Sequence, residues 1–281
     1  MKIKFATDGV ADLPKSLLEK YDIAVVPSFV NYGGRSMADD GVELSREKFY
    51  QDLPNLTVHA TTAAPPPAIA EEVLKRHLEG ADHLIAIVTP PKLAANYNSF
   101  RLGGASLPEG RFTLIDSRRV AMAMGWQVVI GAEVAARTGS LEATLDAISR
   151  VQRNQVLYCA LPTLEYLRRS GRVGWASASI GSLLQIKPIL QVDDDDIRLA
   201  ARVRTYHKAV DYVIDMLRQQ GPLEKLAVIH ANHCDGAREI MERVRDIAPD
   251  DAIIADIGPT LGVHVGPGAL GFASVSASWR V

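Results

Sequence analysis

The chain is poor in the features that mark special environments. Its 281 residues hold 2 cysteines, Cys159 and Cys234, far apart and in unrelated contexts, which gives no disulfide framework and fits free thiols in a reducing, cytoplasmic setting. Neither sign of charge dominates: 31 Lys and Arg stand against 33 Asp and Glu, so nucleic acid is not an expected partner. The longest uncharged stretch, Ile257 to Trp279, is filled with breakers (Gly258, Pro259, Gly262, Gly266, Pro267, Gly268, Gly271) and reads as loop and strand, so no membrane span is expected. The opening MKIKFATDG meets charge at once, and no export signal is read there. Neither a Gly-x-x-x-x-Gly-Lys phosphate loop nor a Gly-x-Ser-x-Gly elbow occurs.

What is present is an ordinary globular composition, 47% hydrophobic and 23% charged, at a length that suits two domains. Apolar runs with strand character at Lys2 to Ala6, Ile23 to Val30, His83 to Val88 and Arg111 to Ile115 alternate with helical patterns. Those patterns begin at Ser45, Ala68 and Leu93 and around Met122, with Asp12 as cap of a first helix. That alternation predicts a parallel sheet covered on both faces over residues 1–152. Gly139 ends the long helix, Ser140 caps the next, and the pattern then changes. Strands at Val156 to Leu161 and Ile186 to Val192, a hairpin partner at Ile197 to Val203, then helices at His207 to Gln219 and Gly236 to Ile247 between further strands predict a mixed sheet over residues 153–281. The fold class is therefore α/β with two domains, an N-terminal three-layer α/β/α unit followed by a mixed-sheet α/β unit.

Chemistry-bearing residues gather at strand ends: Thr7-Asp8-Gly9, Thr89-Pro90-Pro91 and Asp116-Ser117. Loops after strands are polar in any case, so the same residues also describe ordinary connections. Gly266-Pro-Gly-Ala-Leu-Gly271 matches the dinucleotide string, but too little chain follows for a βαβ unit, Pro267 lacks a donor N–H, and no acidic residue follows at the right distance. No cofactor is expected. His230, His233, Cys234 and Asp235 lie within a single turn of chain with no second cluster, and Asp193 to Asp196 lacks the glycine and distal glutamate of a calcium loop, so no metal is expected either.

The most informative stretch is PTLEYLRRSGRVGWASASIGSLLQIKPIL, residues 162–190. A short helix from Thr163 to Arg169 leads to the basic turn Ser170-Gly171-Arg172 and then to an apolar run from Ile180 to Leu190. A basic turn beside an apolar wall suits an amphiphilic anion, each buried CH2 contributing about 0.8 kcal/mol. It also describes a surface turn beside a core strand. His264, between valines, reads from these residues first as a core histidine, while the glycines beside it would let backbone approach a ligand closely.

With ATDGVADLP, VVPSFV, TTAAPPP, Ile-Asp-Ser at 115 to 117 and HVGPGALG in the same order, this stretch resembles the DegV family of bacterial fatty-acid-binding proteins over nearly the whole chain. The resemblance implies a binding protein and not an enzyme. It would hold a long-chain fatty acid between its two domains and present the carboxylate to a separate fatty acid kinase. Thr62, Arg172 and His264 would surround the head group, with Gly266, Thr89 and Asn96 nearby, and Ile180, Leu183, Leu184 and Ile186 would be among the tail wall. Asp39, Asp40, Arg168 and Arg169 would be exposed toward the partner. The chain departs from the family where Pro90-Pro91 replaces a serine pair, Ala63-Ala64 replaces Ser-Gln, and Gly9 replaces a serine. The departures make the head-group end more apolar and leave a second reading, an enzyme or binder for another small molecule on the same scaffold, with Asp8 and His264 as an acid-base pair.

Overall fold

Strand β6, His83–Val88, is buried at all its positions, and its side chains part to two faces. Leu84, Ala86 and Val88 enter one apolar cluster, Ile85 and Ile87 another, as the two-residue period of a strand requires. A strand buried on both faces belongs inside a covered parallel sheet. β6 pairs in parallel with β1 (Ile3–Asp8) and β7 (Phe112–Asp116), and β2 (Ile23–Val26) lies beyond β1, giving the order β2-β1-β6-β7. The computed structural model describes residues 1–172, 174, 186–193 and 196–280.

The first of those clusters is closed by Ala70, Leu74 and Leu78 of α3 (Pro67–Leu78) and Phe100 of α4 (Asn96–Gly104). The opposite face is covered by α5 (Ala121–Thr138), which is buried without interruption from Ala121 to Ala132. A helix apolar on all sides must have protein on all sides. Its far side meets the second sheet, where the Trp126 indole N–H donates to the Ala273 carbonyl at 3.1 Å. Gly139, at a φ of 58°, ends α5, and the Ser140 hydroxyl caps α6 (Leu141–Arg153) by accepting from the Ala143 N–H.

The second sheet is mixed, with the order β10-β9-β8-β13-β11-β12. Its strands are β8 (Gln155–Ala160), β9 (Lys187–Asp193), β10 (Asp196–Val203), β11 (Leu223–His230), β12 (Ile253–Asp256) and β13 (Leu270–Ser276), and within it only β11 and β12 run parallel among the described residues. Period two again divides its residues: Ala273 and Val275 of β13 face α5, while Leu270 and Phe272 join Val213, Leu217 and Ile240 under α8 (Tyr206–Arg218) and α9 (Cys234–Arg243).

Several local expectations change. The apolar run from Ile23 is split at Pro27-Ser28, since proline cannot donate to a ladder. Phe29–Tyr32 becomes β3 of a separate antiparallel sheet with β4 (Arg35–Ala38) and β5 (Thr61–Ala63). Asp12 does not cap the helix that follows it but ends the 3-10 turn Gly9–Ala11, its N–H donating to the Gly9 carbonyl. It adopts a left-handed φ of 51°, and α1 (Lys15–Tyr21) begins behind Pro14. The helix expected from Leu93 starts at Asn96, because the N–H groups of Leu93 and Ala94 both turn back to the Pro90 carbonyl. The glycine-rich stretch after Ile257 contains a helix, α10 (Pro259–Val265), with Pro259 at its first position, where no N–H is needed. No helix among the described residues is long and apolar enough to cross a membrane.

Because Trp126 is 2% exposed and joins α5 to the central strand β13, Trp126→Ala should destabilise the fold by about 3–5 kcal/mol. Urea unfolding followed by circular dichroism checks this, and a loss below about 1 kcal/mol would mean that α5 is not anchored through this ring.

Candidate functional site

A cavity of about 350 Å³ opens between the two sheets. Its floor is the α5-facing side of the mixed sheet. Leu157 and Val192 are cross-strand partners on β8 and β9, as are Cys159 and Leu190, so all four share one face, with Ile197 and Ile229 extending it. Val120 and Ala121 at the start of α5 form one side, and Leu261 and Val265 of α10 another. The Cys159 thiol is pushed up to about 12 by burial and stays protonated.

The polar end is small. Thr62 reaches it from β5 and His264 from the last turn of α10, with Thr62 Oγ1 and His264 Nε2 3.3 Å apart. His264 Nδ1 is buried without a partner. Burial holds the imidazole down at about 3, and the positive charges of Arg172 and His59 push the same way, so it is neutral near pH 7. Arg172 lines the cavity but is exposed, its guanidinium donating to the Ser170 carbonyl at 2.8 Å.

Thr89 and Asn96 also line the cavity, but their donors point elsewhere. The fully buried Asp8 accepts from the Thr89 N–H at 2.8 Å, the Thr89 hydroxyl at 2.9 Å and the Val10 N–H at 2.9 Å, and Asn96 also hydrogen-bonds to it. Burial raises the Asp8 pKa, and the donors from Thr89, Asn96 and Val10 oppose that rise. The Asn96 amide also donates to Ser28 Oγ at 3.0 Å. The ends of β1 and β6 therefore do converge, but on each other. Asp116 accepts from the Arg118 N–H and does not line the cavity.

α10 is positioned by groups across the cleft. The Gly258 N–H donates to Asp12 Oδ1 at 2.8 Å, the Thr260 N–H and hydroxyl donate to Asp39 Oδ2 at 2.8 and 2.7 Å, and the Tyr50 hydroxyl donates to the Ile257 carbonyl at 2.8 Å. Tyr50 lies so close to Gly262 that a Cβ there would meet its hydroxyl. Gly266 is not on the cavity wall. It has a φ of 74° and its missing side chain makes room for the Tyr166 ring. Asp39 is thus buried and engaged, not exposed toward a partner, whereas Asp40, Arg168 and Arg169 are exposed.

Among the tail residues expected from sequence, Ile180, Leu183 and Leu184 lie outside the described residues. Ile186 packs against the core and is not on the cavity wall. Of the residues that do line the wall, Leu190 ends the apolar run read in the sequence as a wall, whereas Leu157, Val192, Ile197 and Ile229 are legible only as strand positions. The histidine cluster at 230–235 is divided: His230 pairs with Asp256 at 3.2 Å and accepts from the His233 N–H, His233 stacks near Tyr206, and Cys234 is exposed. No metal-binding group of three is present among the described residues.

The family model for DegV, described as an uncharacterised protein family, matches residues 2–277. The chain belongs to the DegV family. A DegV domain-containing protein of Streptomyces coelicolor is 31% identical over 96% of each chain. A DegV family protein from Thermus thermophilus, described by its fatty acid binding, superposes with a TM-score of 0.90 at 28% identity, covering 98% of this chain and 100% of that one. A Thermotoga maritima protein, described as revealing a fatty acid binding function, gives a TM-score of 0.86 at 27% identity over 98% and 99% of the two chains. The parallel-sheet unit and the mixed-sheet unit are thus a DegV arrangement, and the proline pair and the donor-poor polar end of the cavity are built into it.

With the Thr89 donors held by Asp8 and no N–H on Pro90 or Pro91, few groups remain to select an ionised head group. Binding measured by displacement of a fluorescent acyl probe should favour a free acid over its methyl ester by less than tenfold, under about 1.4 kcal/mol. Replacing both prolines with serine should widen that preference. A native preference well above tenfold would mean that Thr62, His264 and Arg172 hold the carboxylate unaided.

Proposed function

We propose that this protein binds a long-chain fatty acid in the cavity between its two lobes, which divide at 152/153. The carboxylate lies against Thr62 and His264 beside Arg172, and the chain lies along Leu157, Leu190, Val192 and Ile229. The observation that carries this reading is an apolar cavity with a polar end, where a hydroxyl and a neutral imidazole sit 3.3 Å apart beside an exposed guanidinium. The relatives from Thermus thermophilus and Thermotoga maritima, described by fatty acid binding, support it. Burying a sixteen-carbon tail contributes about 12 kcal/mol gross, so slow release is expected even after association costs.

The protein acts as a carrier and not as a catalyst. Asp8 and His264 do not form an acid-base pair, since Asp8 is turned toward Thr89 and Val10 and the neutral His264 imidazole, held down at about 3, is too weak a base to take up a proton near pH 7. The acyl group is presented, in a cytoplasmic setting, to a separate fatty acid kinase, with Arg168, Arg169 and Arg172 as the exposed basic surface beside the cavity.

Mass spectrometry of an organic extract should find about one fatty acid per chain. In titration calorimetry of the delipidated protein, His264→Ala should weaken acyl binding by about 1–3 kcal/mol with little change in Tm, the size of a hydrogen bond to a charged group. An empty extract together with no uptake by delipidated protein would overturn the reading, and a large fall in Tm with unchanged affinity would return His264 to the core.

A further inference from the structure

On the side of Asp8 away from the acyl cavity lies a second, more polar cavity of about 590 Å³ that the proposed function does not use. Two of its acids are unusual. Asp12 is 5% exposed and Asp39 9% exposed, and each has one carboxyl oxygen on the turn that starts α10 and the other buried with no hydrogen-bond partner. Both carboxyls flank Gly258: a Cβ placed there would lie 2.9 Å from Asp12 Oδ1 and 3.2 Å from Asp39 Oδ2. Two ionised carboxylates so near each other, each with an unsolvated oxygen, are costly.

We propose that Asp12 and Asp39 carry one proton between them and form a clamp on the N-terminus of α10, acting as positioning residues that hold His264 at the head-group end of the acyl cavity. The consequence for lipid rests on the proposed function, whereas the clamp itself does not. Every charged group facing the pair is accounted for. Arg46 of α2 (Arg46–Asp52) is the facing cation and also donates to the Asp256 carbonyl at 3.3 Å, Lys15 of α1 lies across the same cavity, and Asp8, Asp40 and Asp256 add negative charge. Tyr50, whose hydroxyl is held neutral by burial, completes the surround.

Burial above all holds Asp12 at about 8, with the charges of Asp39 and Asp256 pushing the same way and Arg46 and the Gly258 N–H opposing. Burial also raises Asp39. An aspartate in the unfolded chain titrates at about 3.9. The folded state therefore binds the extra proton between about 4 and 8, its stabilising effect is complete below that window, and it is lost as pH rises to about 8, with no further loss above. For a one-proton process, opening of α10 becomes about tenfold easier per pH unit inside the window.

Asp12→Asn keeps the acceptor for Gly258 and fixes the neutral state. Three readouts need no lipid: an infrared carbonyl band of a protonated carboxyl, Tm against pH, and amide exchange protection of residues 261–265 corrected for intrinsic rate. The native protein should show the band at pH 6.5, and its protection should fall about tenfold per pH unit between pH 6 and 8. Asp12→Asn should lack that band and hold its protection across the range, while Asp12→Ala, which strands the Gly258 N–H, should be weakly protected throughout. For bound acyl probe, the native off-rate should rise at least tenfold from pH 6 to 8 and stay within twofold in Asp12→Asn. Absence of the band, or a pH slope that survives Asp12→Asn, overturns the clamp. A flat native off-rate beside the expected band and slope overturns the positioning of His264. A protein that takes up no fatty acid overturns the proposed function, and the three lipid-free readouts then decide the clamp alone.

Discussion

The burial of α5 on every side is the constraint on which the rest of the molecule depends. One face of the helix closes the parallel sheet over Phe5, Ile85 and Ile87, and the other meets Leu157, Ala273 and Val275 of the mixed sheet. A helix of this composition is stable in water only when both faces are covered. The two sheets are therefore not independent layers joined by a linker, because they share one apolar cluster that passes through α5. Gly131 follows from the same constraint: a Cβ there would lie 2.9 Å from the Phe5 ring and 3.1 Å from Ile148.

Where α5 begins, the shared core gives way to the cavity. Val120 and Ala121 belong to both, lining the cavity and packing in the core. The cavity is thus a continuation of the core from which side chains have been withdrawn, which explains its apolar floor without any special sequence signal. Its polar end is supplied by pieces of chain remote in sequence, β5 and α10, and α10 is tied across the cleft by buried hydrogen bonds to Tyr50, Asp12 and Asp39. A buried hydrogen bond contributes only about 1 kcal/mol net, but leaving its partner unpaired costs more, and that asymmetry is what fixes α10 in place.

The polar end of the cavity shows how a donor-poor loop closes on itself. Pro90 and Pro91 offer no N–H, and the Pro90 carbonyl gathers the N–H groups of Leu93 and Ala94 into a tight turn. The neighbouring donors, those of Thr89 and the Asn96 side chain, are engaged by Asp8 and Ser28. A carboxylate placed there has a neutral imidazole, one threonine hydroxyl and an exposed arginine to satisfy it. That end of the cavity offers few groups to an anion, whereas its floor is broad and apolar.

The sequence by itself determined the class of fold, the parallel sheet, the hairpin of β9 and β10, the helix start at Ser45, the caps at Gly139 and Ser140, and the family, because each rests on periodicity or on residues adjacent in the chain. It also singled out Thr62 and His264, though only through a motif carrying a resemblance. Only the tertiary structure decided that Asp12 and Asp39 are interior residues, and that Thr89 and Asn96 face Asp8. Whether a short polar residue caps its own helix or crosses a cleft depends on what lies opposite, here the Gly258 and Thr260 N–H groups more than two hundred residues away. The cavity wall was hidden for the same reason. Leu157, Leu190 and Ile229 read as core because a strand's alternation tells which face a side chain takes and not whether that face meets another side chain or an open space.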